Sequence, residues 1–281
     1  MFKLGFSQYT GIPGVNSLSL FGAGARSIYQ AGVLKRIYEL KKEYTYIYAY
    51  SGGSLNAAMF AQGDIDLLEW LWLNIQNKDV KSFAWAHFWN SPWLYSMTPL
   101  WQTLKKHIDP EKVRKCHSQI FVSVTSLEKN ASEQFDLKAM PDERLDDLDF
   151  FTLLVASASI PVLAPPLFGK YYDGGISNSS CVAEAAGLGV ETITTVVPSL
   201  PAVVKVKTLE DAAATIASIP RWSDYLEQKF ALSLMSEPKP KLVEIAPPCQ
   251  MPGSLFDFSF KGMDRKQMIQ QGYDLCKQVL G

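Results

Sequence analysis

The run from Tyr46 to Gln62 constrains this chain more than any other. Tyr46, Ile47, Tyr48, Ala49 and Tyr50 form a β-branched and aromatic strand, and a small-residue helical pattern starts directly after Ser51, so strand, sharp turn and helix follow without a linker. A serine at such a turn has its hydroxyl pushed out at the carboxyl end of a sheet. The first N–H groups of the helix then face any negative charge that develops beside it. Elbows of this kind read Gly-x-Ser-x-Gly, because the turn leaves no room for side chains against the helix. Here Ala49, Tyr50, Ser51, Gly52 and Gly53 fill those places, with the smallest side chain at the first glycine position. The same residues also suit an ordinary strand-to-helix turn with a serine N-cap.

A chain of 281 residues, 47% hydrophobic and 20% charged, can bury a large core within one domain. With no repeat, low-complexity run or linker, a single domain over 1–281 is expected. A net charge of −1 offers no electrostatic case for a nucleic acid partner. Cys116, Cys181, Cys249 and Cys276 are scattered without a CxxC, so neither a metal site nor a disulfide framework is indicated. The start, MFKLGFSQYTGIPG, lacks a basic flank followed by an apolar core, and no apolar run reaches spanning length. A cytoplasmic chain, at most peripheral at a membrane, is the expectation.

Ser17 to Leu20 reads as a strand that enters Phe21-Gly22-Ala23-Gly24-Ala25-Arg26-Ser27, and a helix pattern runs from Ile28 to about Leu40. A glycine-rich turn opening a helix aims several N–H groups one way, which suits a phosphate or the oxyanion of an acyl-transfer intermediate, and Arg26 adds positive charge. It is neither a P-loop nor a full dinucleotide fingerprint. Further helices are expected over Asp64–Asn77, Phe150–Ser159, Leu209–Met235 (interrupted at Pro220) and Met263–Leu280, with strands over Gln119–Ser126, Gln134–Leu137, Glu191–Val197 and Lys241–Ile245. Between Ser82 and Trp101 lie Phe83, Trp85, Phe88, Trp89, Trp93, Tyr95 and Trp101, broken by Pro92 and Pro99. This density suits an aromatic subcore, a lid over an apolar cleft or a bilayer contact.

The histidines narrow the chemistry. His87, His107 and His117 are the only three, so the order Ser, Asp, His of an α/β-hydrolase triad is impossible, and we read all three as structural or surface residues. If Ser51 is a nucleophile, its base must come from elsewhere, and a carboxylate held within hydrogen-bonding distance of the hydroxyl can take that role. Asp173, ending the short aromatic strand Tyr171-Tyr172-Asp173 in a glycine turn, is the candidate.

These residues resemble those of the patatin-like phospholipases. SLSLFGAGARSIYQAGVLKRI resembles the family's Gly-rich, Arg-containing oxyanion loop and its helix, and AYSGGSLNAA its nucleophile elbow. ASASIPVLAPP and YYDGGISNSS resemble the segment that bears its aspartate. The resemblance implies a three-layer α/β/α fold with a mostly parallel central sheet, and a lipid acyl hydrolase acting on a phospholipid or lysophospholipid without metal or cofactor. It implies Ser51 as nucleophile, Asp173 as base, and an oxyanion site built from Gly22, Ala23, Gly24, Ala25 and Arg26. Ala23, Ser27 and Ala49 stand where the family has glycine. These departures leave open a second reading, a catalytically weak or inactive lipid-binding or scaffold protein on the same fold.

Overall fold

The computed structural model of the chain describes residues 9, 11–84, 93–177, 180–197, 206, 208–248, 251 and 255–281. Strand β1 (Ile12–Leu20), helix α1 (Ile28–Glu39) and strand β2 (Tyr46–Ala49) form a parallel crossover unit. After α2 (Gly52–Ala61) come α3 (Ile65–Asn74), α4 (Asn77–Val80), the ribbon β3 (Ser82–Phe83) with β4 (Tyr95–Ser96), α5 (Thr98–His107) and α6 (Pro110–Arg114). The sheet resumes with β5 (Gln119–Ser126) and β6 (Ala131–Asp136), followed by α7 (Phe150–Ser157), β7 (Tyr171–Asp173), α8 (Val182–Gly187) and β8 (Val190–Val196). The last elements are α9 (Leu209–Ser233), β9 (Lys241–Ile245) and α10 (Arg265–Leu280).

The strands lie in the order β6-β5-β2-β1-β8-β9, with β7 also on β5. β5, β2, β1, β8 and β9 run parallel, whereas β6 and β7 pair antiparallel with β5. Period-two alternation builds the layers on either side. Leu18, Leu20, Ile47, Ala49, Ile120 and Val122 point to one face, into a core shared with α1, α2, α3, α7 and α10. Phe21, Tyr48 and Tyr50 point to the other, into a second core closed by Val182 and Ala185 of α8 and Tyr225 and Leu232 of α9. This is the expected three-layer arrangement with a mostly parallel sheet.

Local expectations differ from the structure in three places. β1 starts at Ile12 rather than Ser17, because its exposed first half pairs with β8 without showing an apolar pattern. Pro99 does not break its segment; it sits in the first turn of α5, where a missing N–H costs no helix bond. Pro220 lies inside α9 without ending it. Tyr225, Gln228 and Leu232 fix that helix to the body from its inner side, which outweighs one forfeited bond.

Candidate active site

Ser51 caps α2 with φ 53° and ψ −137°, a backbone state that costs a non-glycine residue about 1–3 kcal/mol and persists only when its surroundings impose it. The imposing contacts are specific. Ala49 anchors the end of β2 in the core, and the Ser51 N–H donates to Ser157 Oγ at 2.9 Å. Ser157 in turn donates to the Ser123 carbonyl at 2.8 Å. The α2 backbone passes so near the end of β1 that a Cβ on Gly53 would lie 2.1 Å from the Leu20 carbonyl oxygen. Only glycine fits there. Ser51 itself is 6% exposed.

The glycine-rich loop lies directly against this serine. A Cβ on Gly22 would stand 2.2 Å from Ser51 Cβ and 3.0 Å from its Oγ, so the loop backbone approaches the hydroxyl as only glycine allows. Three of the loop's amides are engaged: Ala23 N–H donates to Ser27 Oγ at 3.1 Å, Ala25 N–H to the Leu255 carbonyl at 2.7 Å, and Arg26 N–H to the Ala23 carbonyl at 3.1 Å. Gly24, at φ 53°, borders the same cavity as Ser51. A buried polar chain holds the loop from below. Trp72 Nε1–H donates to Asn56 Oδ1 at 2.7 Å, and Asn56 Nδ2 donates to Gln30 Oε1 at 2.8 Å and to the Ser27 carbonyl at 2.9 Å. Gln30 Nε2 donates to the Phe21 carbonyl at 2.7 Å.

Sheet topology brings Asp173 to the same place. β6 occupies one edge of β5 from Phe121 to Ser126, so β2 and β7 must share the other edge, end to end. The last β2 pair is Ala49 with Val122, and the last β7 pair is Asp173 with Val124. One residue, Ser123, lies between the two pairs, so about 7 Å of strand separates them, and Ser51 turns off β2 at that gap. Asp173 is 5% exposed, and its Oδ1 accepts from the Gly175 N–H at 2.8 Å. Its own N–H donates to the Ser159 carbonyl at 2.7 Å, and its carbonyl accepts from Thr125 Oγ1 at 2.8 Å. Ser157 and Ser159, at the end of α7, therefore tie both elements to one support. Among the described contacts, Ser51 Oγ makes no hydrogen bond.

Ser51 opens onto an apolar cleft of about 100 Å³. Leu55 and Met59 of α2, Leu71 of α3 with Ile75 just beyond its end, and Leu100 and Leu104 of α5 form its walls, and Phe256 and Phe258 stand over it. The cleft follows α2 from Ser51 to Met59, about 12 Å of helix. Asn77 holds the roof, accepting from the Phe258 N–H at 2.8 Å and donating to Asp257 Oδ1 at 3.0 Å.

A model described as patatin-like phospholipase matches residues 18–186, more than half of the chain. The chain belongs to the patatin-like phospholipase family. No curated protein sequence matches it. Among solved structures, VipD from Legionella pneumophila superposes with a TM-score of 0.52 at 14% identity, covering 96% of this chain and 67% of that one. The type III effector protein ExoU covers 96% and 53% respectively, with a TM-score of 0.43 at 12% identity. At such identities the likeness to VipD speaks for the fold alone, and this chain spans about two thirds of one protein and half of the other. Ser51, Asp173 and the 22–26 loop of this patatin-like phospholipase lie inside the family match, whereas α9 and the Phe256–Phe258 roof lie beyond it.

Of the histidines, His117 is exposed and His87 lies outside the described residues. His107 is half-buried and lines the far end of the cleft. Its carbonyl accepts from Gln62 at the carboxyl end of α2, whereas Ser51 sits at the amino end, about 15 Å of helix away. In the aromatic segment, Trp85, Phe88, Trp89 and Pro92 lie outside the described residues. Trp93 is half-buried against Tyr172, ring centroids 6.4 Å apart, and Trp101 packs half-buried on the core. Ser157, Ser27, Asn56 and the roof phenylalanines were not singled out as site residues from sequence. Ser157 sits inside the ASASIP stretch that resembles the family, and that was its only signal. No described helix is long and apolar enough to cross a membrane.

Proposed function

We propose that this protein hydrolyses carboxylic esters of lipids, as a phospholipase A or lysophospholipase of the serine esterase (EC 3.1.1) type, through a Ser51–Asp173 dyad. The observation that carries this reading is a serine held in a strained elbow at the head of a long apolar cleft, with a buried aspartate at the adjoining strand end. Such a cavity suits an acyl chain better than a polar substrate. As Ser51 Oγ bonds to the ester carbonyl carbon, Asp173 takes the hydroxyl proton and the carbonyl oxygen becomes an oxyanion. Collapse of that intermediate breaks the bond to the leaving alcohol, which receives the proton from Asp173. Water then attacks the acyl-serine, Asp173 accepts its proton, and the acid leaves as Ser51 is restored. A serine hydroxyl with no hydrogen bond among the described contacts is compatible with this role, since catalytic contacts tighten when substrate binds.

The oxyanion falls to the 22–26 loop, at about 3 kcal/mol per donor. Gly24 N–H is the amide with no partner among the described residues, and Ala23 contributes when the Ser27 hydroxyl releases it. That competition by Ser27 favours low turnover, and in the limit a lipid-binding protein without turnover. A fluorophosphonate probe and a short-chain p-nitrophenyl ester decide between these outcomes. Labelling and turnover that vanish in Ser51→Ala support the hydrolase, whereas a wild type that is neither labelled nor active removes it. Asp173→Asn should lose activity with the fold retained, while His87→Ala, His107→Ala and His117→Ala each keep most of the soluble-ester activity. A folded histidine variant that loses activity by orders of magnitude would break the dyad assignment.

A further inference from the structure

Helix α9 has two apolar faces and buries only one. Tyr225, Gln228 and Leu232 point inward. Leu209, Ile216, Ile219, Leu226, Phe230 and Leu234 are each between 54% and 69% exposed, and at 3.6 residues per turn they fall within about 100° of arc, roughly opposite the buried set. The stripe runs the length of the helix, about 37 Å. Glu227 is the charged residue at its edge; Asp224 and Lys229 lie on its flanks, with Lys229 paired to Glu244 at 3.0 Å. The stripe is thus aliphatic, charge-free along its centre and without a net basic border.

We propose that this outer face of α9 docks the protein onto a zwitterionic bilayer; the inference rests on the lipid-ester reading above and names the surface through which that substrate is met. Three observations point to lipid. The face carries Leu and Ile with one Phe, apolar side chains of the kind an interfacial helix buries. Its charge pattern matches a neutral surface, since the flanking Lys229 is paired to Glu244 and Asp224 and Glu227 border the stripe, leaving no net basic fringe to seek anionic headgroups. It is also continuous with the cleft. Glu210, beside Leu209, accepts from Lys81 Nζ at 2.6 Å and from Tyr95 OH at 2.7 Å, and both partners line the cavity that Ser51 opens onto. From the inner side of α9, Tyr225 packs edge-on to Phe21 at 5.0 Å, and Phe21 packs on Tyr50 at 5.9 Å. The helix that lies on the bilayer is therefore also the helix that supports the glycine-rich loop and the elbow.

The test is co-sedimentation of the full chain with phosphatidylcholine vesicles, with and without phosphatidylserine, at low and high salt. The wild type is compared with the triple variant Ile216→Gln, Ile219→Gln, Phe230→Gln, which changes only exposed positions and keeps good helix formers. We expect at least about a tenfold fall in vesicle partition for the variant, and less than about a twofold effect of salt or phosphatidylserine on the wild type. Fluorophosphonate labelling and soluble-ester turnover should be unchanged. Equal partition of variant and wild type, or no partition of the wild type, overturns the proposal. So does a wild type that is dimeric in light scattering and becomes monomeric in the variant, since the stripe would then be covered by a second copy. If partition depends on α9 but neither protein is labelled, the docking surface stands and only the hydrolytic reading falls.

Discussion

The strain at Ser51 predicts a stability gain from removing the residue on which the proposed chemistry depends. Ser51→Gly and Ser51→Ala both delete the hydroxyl, so their difference isolates the backbone. Glycine relieves about 1–3 kcal/mol of strain at φ 53° and ψ −137°, and gives back about 0.5–1 kcal/mol through the greater freedom of the unfolded chain. The net expectation is Ser51→Gly more stable than Ser51→Ala by about 1 kcal/mol, or about 2 °C in Tm for a chain of this size. Urea and thermal unfolding measure it, with equal m values guarding against a change in the denatured state. Ser54, one turn into α2 and fully buried, provides a control of opposite sign. There Ser54→Gly should be about 1 kcal/mol less stable than Ser54→Ala, as in any helix interior. Equal stability of the two Ser51 variants would refute the claim that the surrounding fold forces this turn.

Three further outcomes follow from the same contacts. Ser27→Ala releases the Ala23 N–H from its 3.1 Å bond; soluble-ester kcat should rise, by up to about tenfold if the amide joins the oxyanion site, while stability falls by about 1 kcal/mol. A lower kcat in a folded variant would show that the hydroxyl supports the loop. Leu71→Trp fills the cleft well away from Ser51, so kcat/KM for a long-chain ester should drop by about tenfold or more, with the butyrate ester spared. Equal losses on both esters would mean that acyl chains do not enter this cavity. Burial holds the His107 imidazole below its usual pKa, helped by Lys106 and opposed by Asp79. The unfolded chain then binds the extra proton first, so His107 stability is fully present above about pH 6.5 and is lost as pH falls toward the lower folded value. Tm measured from pH 7.5 down to 5 should fall less in His107→Gln than in the wild type; parallel curves would exclude the effect.

Much of this architecture was written locally. Strand, turn and helix around Ser51, the glycine-rich loop before α1 and the aspartate ending β7 each draw on residues adjacent in sequence, and period-two and 3.6-residue patterns need no distant partner to be visible. β5 and β9 were legible to the residue for that reason. The absence of a histidine after His117 was equally a property of the sequence alone, and it directed attention to Asp173 without any coordinates.

Tertiary structure decided what those pieces do together. That β2 and β7 share one edge of β5, and so bring Ser51 and Asp173 to a common gap, depends on the separate pairing of each with β5, 45 to 73 residues away along the chain. The role of Ser157 as the partner of the Ser51 amide depends on the same packing. Ala23 shows the limit from the other side: its N–H was expected to face the oxyanion, but a hydroxyl four residues along the chain accepts it. Phe256 and Phe258 roof the cleft only because the segment before α10 folds back over α2 and α3. The exposed stripe on α9 was equally hidden. An amphipathic pattern names two faces of a helix, and only the packed protein determines that the inner one is held by Tyr225 and Gln228 while the apolar outer one is left to meet solvent or lipid.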